Sequence, residues 1–141
     1  MKKVFVDTNI IIDLISDRKP FSKFAIEIFE KAENKAIKIF ASSHSIATTH
    51  YMLKKYINEK ELRVILTDLL DFITIIAIDQ EVIKRGLKSK HKDFEDALQI
   101  IAAQSIGNIE CIITRNIKDF KEAEILVVSP DEFVKKQYKS L

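Results

Sequence analysis

The sequence contains few of the residues that interrupt regular structure or cross-link a chain. Its 141 residues include only two glycines, two prolines and one cysteine. The scarcity of glycine and proline, without any serine-rich tract, argues against linkers and low-complexity segments. The single cysteine, Cys111, excludes an intramolecular disulfide framework and favours a reducing compartment. We therefore expect a cytoplasmic protein in which this thiol is buried and inert.

The sequence also lacks long hydrophobic runs and a strong charge of one sign. No apolar stretch approaches the length of a membrane span, and Asp7, Asn9 and Asp13 interrupt the apolar start of the chain, which argues against a signal peptide. We therefore expect no membrane partner. The formal net charge is only +2, so composition alone does not indicate a nucleic-acid-binding protein. Any basic surface must come from local clustering.

The sequence does contain enough apolar residues, 47% of the total, for one substantial core. We expect residues 1–141 to form a single domain. Short apolar runs that are typical of β-strands occur at Val4–Val6, Ile37–Phe40, Ile73–Ile78, Cys111–Thr114 and Ile125–Val128. Segments with helical periodicity cover Phe21–Asn34, Ser43–Asn58, Glu59–Phe72, Gln80–Lys88 and Asp93–Ile106, and a short helix starts at Pro130. This alternation predicts a three-layer α/β/α fold around a mainly parallel sheet of about five strands.

Asp7 follows the first predicted strand directly and is followed by Thr8 and Asn9. In parallel α/β sheets, ligands bind at the carboxyl ends of the strands. Asp7 at such an end could therefore coordinate a cation or act as a general base. The alternative is a local role, because Asp and Asn also favour helix caps and turns. The residues alone leave both interpretations open.

A second acidic group occurs in the segment "HKDFEDALQIIAAQ", where Asp93 and Asp96 lie three residues apart on one side of a predicted helix. Asp93 fits the pattern of an N-cap residue, which would explain it completely. Asp96 is followed on its own side by Ile100 and Ala103, so that side of the helix is expected to be covered. We therefore expect the Asp96 carboxylate to point into a cleft.

The third group is "IITRNIKDF", in which a buried strand ends at Thr114 and is followed by Arg115, Asn116 and Asp119. Acidic and amide oxygens at three such positions are the ligands that Mg²⁺ or Mn²⁺ would need. The three histidines show no zinc-type spacing to one another or to Cys111, and we assign them no metal-binding role.

Basic residues precede the acidic helix, among them Lys90 and Lys92, and Arg115 lies beside the third group. Cations in these positions would suit the phosphate backbone of a nucleic acid that approaches the acidic residues. The alternative is that these side chains simply form a solvated helix face.

The segments "VFVDTNIIIDL", "DFEDALQIIAAQ" and "IITRNIKDF" together resemble, in their order and spacing, the opening strand, acidic helix and late strand of the PIN domain family, in particular its VapC-like ribonuclease toxins. The resemblance implies a PIN-like fold and an endoribonuclease that hydrolyses RNA with Mg²⁺ or Mn²⁺. It implies catalytic roles for Asp7, Asn9, Asp96 and Asp119, and metal-binding roles for Asp7, Asp93, Asp96 and Asp119. It further implies a homodimer that is inhibited by a small antitoxin protein.

The sequence departs from the family pattern at two positions. Thr48 or Thr49 stands where the family usually carries a second acid, and Asn116 replaces a common Asp, with Asp119 nearby as a substitute. A site with fewer carboxylates would bind a cation less tightly. The alternative function is therefore a catalytically weak PIN-like module that binds RNA or a protein. An aspartyl phosphatase is disfavoured, because Asn9 stands where that chemistry expects a second Asp.

Overall fold

The centre of the fold is a five-stranded sheet in which every pair of neighbouring strands is parallel. The computed structural model describes residues 1–136. Its strands are β1 (Lys2–Val6), β2 (Ile37–Ser42), β3 (Ile73–Ile76), β4 (Ile109–Ile113) and β5 (Val127–Val128), and they lie in the order β3-β2-β1-β4-β5. The predicted mainly parallel sheet of about five strands is confirmed.

Helices connect the successive strands, as parallel pairing requires. They are α1 (Thr8–Ser16), α2 (Ser22–Glu33), α3 (Ser43–Leu53), α4 (Glu59–Leu69), α5 (Gln80–Lys88), α6 (Phe94–Gln104), a 3₁₀ helix (Ile117–Phe120) and α7 (Pro130–Lys135). The longest of these, α2, has 12 residues. Within residues 1–136, no helix has both the length and the apolar character needed to cross a bilayer.

The strand order creates a switch point beside β1. Strands β2 and β3 lie on one side of β1, whereas β4 and β5 lie on the other. Val6 and Ile113, the last residues of β1 and β4, are paired in register, and the backbone nitrogen of Asp7 donates to the Ile113 carbonyl oxygen at 3.0 Å. In open α/β sheets, ligands bind in the crevice at such a switch point. Asp7 therefore lies where a ligand site is expected.

Hydrophobic residues cover both faces of the sheet. Val4 and Val6 belong to one buried cluster and Phe5 to another, because alternate residues of a strand point to opposite faces. The first cluster includes Ile28 of α2, and the second includes Ile100 of α6. The sheet is thus enclosed by helices on both sides, which confirms the three-layer α/β/α architecture.

The sequence pattern failed to predict helix α1. Its segment "TNIIIDLIS" is rich in isoleucine, a residue with modest helix propensity that is equally at home in strands. Two features outside propensity form the helix: the Asp7 side chain caps its first turn, and Ile10 and Ile11 are buried in the core. Tertiary packing therefore overrides the local preference.

Several element boundaries also differ from the predicted ones. Strand β3 ends at Ile76 rather than Ile78, and β5 begins at Val127 rather than Ile125. Helix α3 ends at Leu53 rather than Asn58, because Asn58 is instead the N-cap of α4 and accepts hydrogen bonds from two backbone N–H groups of that helix. Phe94, the first residue of α6, is an apolar residue that remains 41% exposed.

Cys111 lies in β4 and is fully buried. Burial is the main cause that raises the pKa of its thiol to about 12. Because the reactive species is the thiolate, this cysteine is chemically inert at neutral pH. The predicted burial of this thiol is confirmed.

Candidate active site

Asp7 lies between the end of β1 and the start of α1, and only 8% of its surface is exposed. Its Oδ1 atom accepts a hydrogen bond from the backbone nitrogen of Thr8 at 2.8 Å and so caps α1. Its Oδ2 atom accepts one from the hydroxyl of Thr114, directly after β4, at 2.7 Å. The cap that the sequence allowed is therefore present, but it uses only one of the two carboxylate oxygens.

Two side-chain amides complete the surroundings of the Asp7 carboxylate. Asn9 Nδ2 donates to Oδ2 and Gln99 Nε2 donates to Oδ1, each at 3.3 Å. Each carboxylate oxygen thus has two neutral donors, one close and one longer. These contacts fix the orientation of the carboxylate without neutralising its charge.

The electrostatic environment of Asp7 disfavours its charged form. Burial raises the pKa of Asp7 above its ordinary value of 3.8, hydrogen bonds from Thr114, Thr8 and Gln99 oppose that increase, and the charge of Asp119 adds to it. A buried carboxylate without a cationic partner is costly to ionise. A bound cation would remove that cost, so the site favours a positively charged ligand.

Asp96 lies in the first turn of α6 and is half-buried. Burial raises its pKa to about 7, and the charges of Asp93, Asp119, Asp7 and Glu95 add to the increase. A carboxyl group with its pKa raised by both desolvation and specific like charges is typical of a functional site. Asp7 and Asp96 therefore lie in one electrostatic cluster, as the sequence predicted.

Asp93 and Asp119 lie at the outer edge of this cluster. Asp93 is the N-cap of α6, and its Oδ1 atom accepts from the backbone nitrogen of Asp96 at 3.0 Å. Asp119 lies in the 3₁₀ helix, is exposed, and raises the pKa of both Asp7 and Asp96 through its charge. The N-cap role predicted for Asp93 is thus present, and Asp119 is close enough to supply further negative charge.

Two adjacent cavities meet at Asp96. We call the first, of about 280 Å³, the acid cleft; it is lined by Asp7, Thr8, Asn9, Ile12, Arg18, His44, Thr48, Met52, Glu95, Asp96, Gln99, Arg115 and Asn116. We call the second, of about 350 Å³, the lysine cavity; it is lined by Lys90, His91, Lys92, Asp93, Asp96, Lys118, Asp119, Lys121 and Glu122. The site residues predicted from the sequence therefore line two neighbouring cavities, and Asp96 lines both of them.

The supporting residues predicted from sequence also lie around the acid cleft. The backbone N–H of Asn116 donates to Thr114 Oγ1 at 3.0 Å, which completes the chain of hydrogen bonds to Asp7. The Thr48 hydroxyl lies in the cleft, 3.3 Å from Nε2 of His44. Thr49, in contrast, is fully buried and donates to the Ser45 carbonyl oxygen at 2.7 Å. Of the two threonines at the position of the family's second acid, only Thr48 therefore faces the cleft.

Arg115 lines the acid cleft but is engaged in an ion pair. Its Nε lies 2.7 Å from Asp13 Oδ2 and its Nη2 lies 3.2 Å from Asp13 Oδ1. The guanidinium also lies over the Phe21 ring, 4.1 Å from its centre. Lys90 and Lys92 line the lysine cavity instead. The three predicted RNA-contacting cations are thus distributed over both cavities, and one of them has a structural partner.

Sequence reasoning missed Gln99, which is central to the site. It is 3% exposed, and its Nε2 atom lies 2.8 Å from Ser45 Oγ and 3.3 Å from Thr8 Oγ1, besides its contact with Asp7. Its Oε1 atom accepts from the Ser42 hydroxyl. The only signal in the sequence was one polar residue within the otherwise apolar stretch "ALQIIAA".

Sequence reasoning also missed Arg18, in the turn after α1. Arg18 is exposed and lines the acid cleft together with Asp7 and Asp96. Among residues 1–136 its guanidinium makes no ion pair. No helical or strand pattern could have indicated this position, because it depends on the path of a turn.

The chemistry of these groups decides which metal they fit. In the part of the chain that the structure describes, no three His, Cys, Asp or Glu side chains form a ready-made metal cage. Mg²⁺ does not require one, because it usually keeps several waters and takes one or two carboxylates together with substrate phosphates. Asp7 and Asp96 supply two carboxylates, and the charge of Asp7 raises the pKa of Asp96. The donor set fits Mg²⁺ or Mn²⁺ with an open coordination sphere.

A parallel α/β sheet with carboxylates gathered at its switch point defines a class of domain that holds a ligand at the carboxyl ends of its strands. Within that class the match is specific: the family model for the PIN domain covers residues 3–118, and the chain belongs to the PIN domain family. The family resemblance predicted from the three motifs is confirmed.

Individual relatives agree with this assignment. Ribonuclease VapC1 of Aquifex aeolicus is 28% identical over 138 residues, which cover 94% of this chain and 93% of the relative. A chain in a toxin-antitoxin complex from Klebsiella pneumoniae is 32% identical, with a TM-score of 0.63 and coverage of 90% of this chain and 97% of the other. VapBC2 from Rickettsia felis, bound to a DNA fragment from its promoter, matches at 20% identity with a TM-score of 0.66 and coverage of 90% and 98%. The last likeness concerns the fold alone.

Proposed function

We propose that this protein is a metal-dependent endoribonuclease of the PIN domain type and the toxin of a toxin-antitoxin pair, which hydrolyses RNA phosphodiesters with Mg²⁺ or Mn²⁺. The observation that carries the proposal is the pair Asp7 and Asp96 at the switch point, both with raised pKa values. The similarity to ribonuclease VapC1 supports the choice of reaction.

Asp7 and Asp96 would hold the ion, with Asp119 and Asp93 as the further carboxylates nearest to it. A divalent ion bound there would activate a water molecule and neutralise charge on the phosphate. Asp7 is held in place by Thr8, Thr114 and Asn9. Asp96 is about half protonated near pH 7 without a cation, because its pKa is about 7, and it would release that proton when the ion binds.

The RNA backbone would lie across Asp96, with cations on both sides. Lys90 and Lys92 line the lysine cavity, and Arg18 lines the acid cleft. Cations in such positions attract phosphates of any sequence and fix the register of the strand. Arg115 uses two of its five N–H donors on Asp13, which leaves donors that could also contact a phosphate.

The proposed partners are a small antitoxin and a second copy of this chain. The solved complex from Klebsiella pneumoniae, 32% identical, supports the antitoxin. A groove is lined by apolar residues, among them Ile26, Ile65 and Phe72, together with the acids Glu30, Glu33 and Asp68. Such a lining would suit an amphipathic helix with basic residues, and we propose that the antitoxin supplies one.

A second function also has support from one observation. Thr48 stands where the family usually has an acid, and with one carboxylate fewer the cation affinity would be too low for turnover. The protein would then be a catalytically weak PIN-like module that binds RNA or a protein through the same cleft.

Cleavage of a mixed RNA pool by the purified protein separates these functions. The reaction is run with Mn²⁺, Mg²⁺ or EDTA, beside Asp7→Asn, Asp96→Asn and the control Asp71→Asn, an exposed acid after α4. We expect metal-dependent cleavage that both site variants lose and the control retains. Absence of cleavage by folded parent protein, with RNA still bound, would favour the binding module.

A further inference from the structure

We propose that Gln99 is a positioning residue: its side-chain amide orients the Asp7 carboxylate and holds α6 against the strand ends, which fixes Asp7 relative to Asp96. The inference rests on the proposed function, because the orientation of Asp7 affects catalysis only if Asp7 binds the cation. It adds a role for an uncharged residue of the acidic-helix segment, to which the sequence pattern assigned no function.

The first step is the contact with Asp7. Gln99 is 3% exposed, so its amide must find its hydrogen-bond partners within the protein. The Nε2 atom lies 3.3 Å from Asp7 Oδ1, 2.8 Å from Ser45 Oγ and 3.3 Å from Thr8 Oγ1. An ionised carboxylate only accepts hydrogen bonds, so the NH₂ group and not the carbonyl oxygen must face Asp7. The orientation of the amide is therefore determined by its surroundings.

The second step is the anchoring of the other end of the amide. Gln99 Oε1 accepts from the Ser42 hydroxyl, and Ser42 Oγ also accepts from the backbone nitrogen of Ser45 at 3.1 Å as the N-cap of α3. Ser45 Oγ in turn lies 2.8 Å from Thr8 Oγ1. One amide thus joins the ends of β1 and β2, the start of α3 and the middle of α6.

The third step is the consequence for Asp96. Gln99 follows Asp96 by three residues on α6, so both side chains project from the same side of the helix. Any rotation of α6 that moved Asp96 away from Asp7 would also break the contacts of Gln99. The buried amide therefore sets the separation of the two proposed cation ligands.

A purely structural role would not require this residue. A methionine would fill similar space without the cost of burying an amide. Gln104, on the same helix, shows what a structural glutamine does here: its Nε2 atom donates to the Ala123 carbonyl oxygen at 2.8 Å, away from the acid cleft. Gln104 is exposed, so its replacement controls for the loss of a glutamine side chain from α6.

The test compares Gln99→Met with Gln104→Met and Thr49→Val in the full-length protein. Thr49→Val removes another buried hydrogen bond near the site, from Thr49 to the Ser45 carbonyl oxygen, and so controls for a general loss of stability. Binding of Mn²⁺ alone is measured by electron paramagnetic resonance of the free ion, and RNA cleavage is measured as kcat and KM. Thermal melts establish that each variant is folded.

We expect Gln99→Met to weaken Mn²⁺ binding roughly 10- to 100-fold, as is typical when a residue that orients a metal ligand is removed. The kcat value should fall while KM for RNA stays within about twofold, because a buried amide does not bind substrate. Both controls should bind Mn²⁺ as the parent does. Unchanged Mn²⁺ binding in folded Gln99→Met, or equal weakening in Thr49→Val, would overturn the proposal.

A metal-free measurement separates this inference from the proposed function. The side-chain NH₂ signals of Gln99 are assigned by NMR, through their absence in Gln99→Met or, if that variant does not fold, through Gln99→Asn. We expect these signals to shift in Asp7→Asn, whereas the Gln104 signals stay in place. If they shift but the parent neither binds Mn²⁺ nor cleaves RNA, the nuclease assignment fails and the amide contact stands. If they do not shift, the positioning role fails.

Discussion

Arg115 and Asp13 form a two-point ion pair that ties the end of β4 to helix α1. The two contacts measure 2.7 and 3.2 Å, and the Asp13 side chain is only 1% exposed. The pair therefore places a charged group inside the core, next to the acid cleft. Arg115 directly follows Thr114, whose hydroxyl donates a hydrogen bond to the Asp7 carboxylate.

Removing the cation of this pair should destabilise the fold strongly. We expect Arg115→Met to lower the free energy of unfolding by about 3–5 kcal/mol, because it leaves the buried Asp13 carboxylate without a counter-charge. Urea denaturation measures the change. The exposed pair of Arg63 and Glu59, 2.6 Å apart, provides the control: Arg63→Met should change the free energy of unfolding far less than Arg115→Met does. Equal effects of the two substitutions would contradict the structural role assigned to Arg115.

Arg18 should contribute to RNA binding without contributing much to stability. It is exposed and lines the acid cleft. We expect Arg18→Gln to weaken RNA binding in every sequence context and to reduce the slope of log affinity against log salt by about 1, as loss of one phosphate contact does. Fluorescence anisotropy over a range of salt concentrations measures both quantities. Arg63→Gln, remote from the cleft, should leave the slope unchanged, and an unchanged slope in Arg18→Gln would remove Arg18 from the interface.

The raised pKa of Asp96 predicts how the metal-free protein responds to pH. Its pKa is about 7 in the folded protein and 3.8 ordinarily. Between these values the folded state holds more protons than the unfolded state, so stability falls as pH rises. We expect thermal stability in EDTA to decline from about pH 4 to pH 7, and Asp96→Asn to reduce that decline. A variant with the same pH dependence as the parent would show that Asp96 is not the group responsible.

Asp7 should show opposite effects on activity and on stability. Replacement by Asn keeps the shape but removes a charge whose burial raises the pKa of this group. We expect Asp7→Asn to lower cleavage more than about 100-fold while the melting temperature of the metal-free protein stays equal or rises, because a neutral amide costs less to bury than a carboxylate. Loss of cleavage accompanied by unfolding would leave the catalytic role of Asp7 unsupported.

The parts of the fold that could be predicted are those with a strong local signal. The apolar runs around Val4–Val6 and Cys111–Thr114 indicated buried parallel strands, and they form the centre of the sheet. Helix α1 was missed because its isoleucine-rich segment also suits a strand, and the Asp7 cap and core packing make it helical. The local sequence pattern therefore predicted the sheet and its covering helices, but it did not predict that a helix directly follows β1.

The same distinction applies to the candidate site. Asp7 and Asp96 were predictable, because carboxylates at a strand end and on a covered helix side need an explanation. The long-range contacts around the site were not predictable: Gln99 is 92 residues from its partner Asp7, and Arg115 is 102 residues from its partner Asp13. Such contacts depend on the switch point of the sheet, which no single segment encodes.

The inert cysteine in β4 has a practical consequence for future experiments. Cys111 is the only cysteine in the sequence, it is fully buried, and its thiol has a pKa of about 12. Maleimide and iodoacetamide reagents need an accessible thiolate, so we expect the unmodified chain to serve as a cysteine-free background for labelling. One cysteine introduced at Tyr51, which is 62% exposed on α3, would carry a single fluorophore or spin label and report directly on association with RNA or a partner protein.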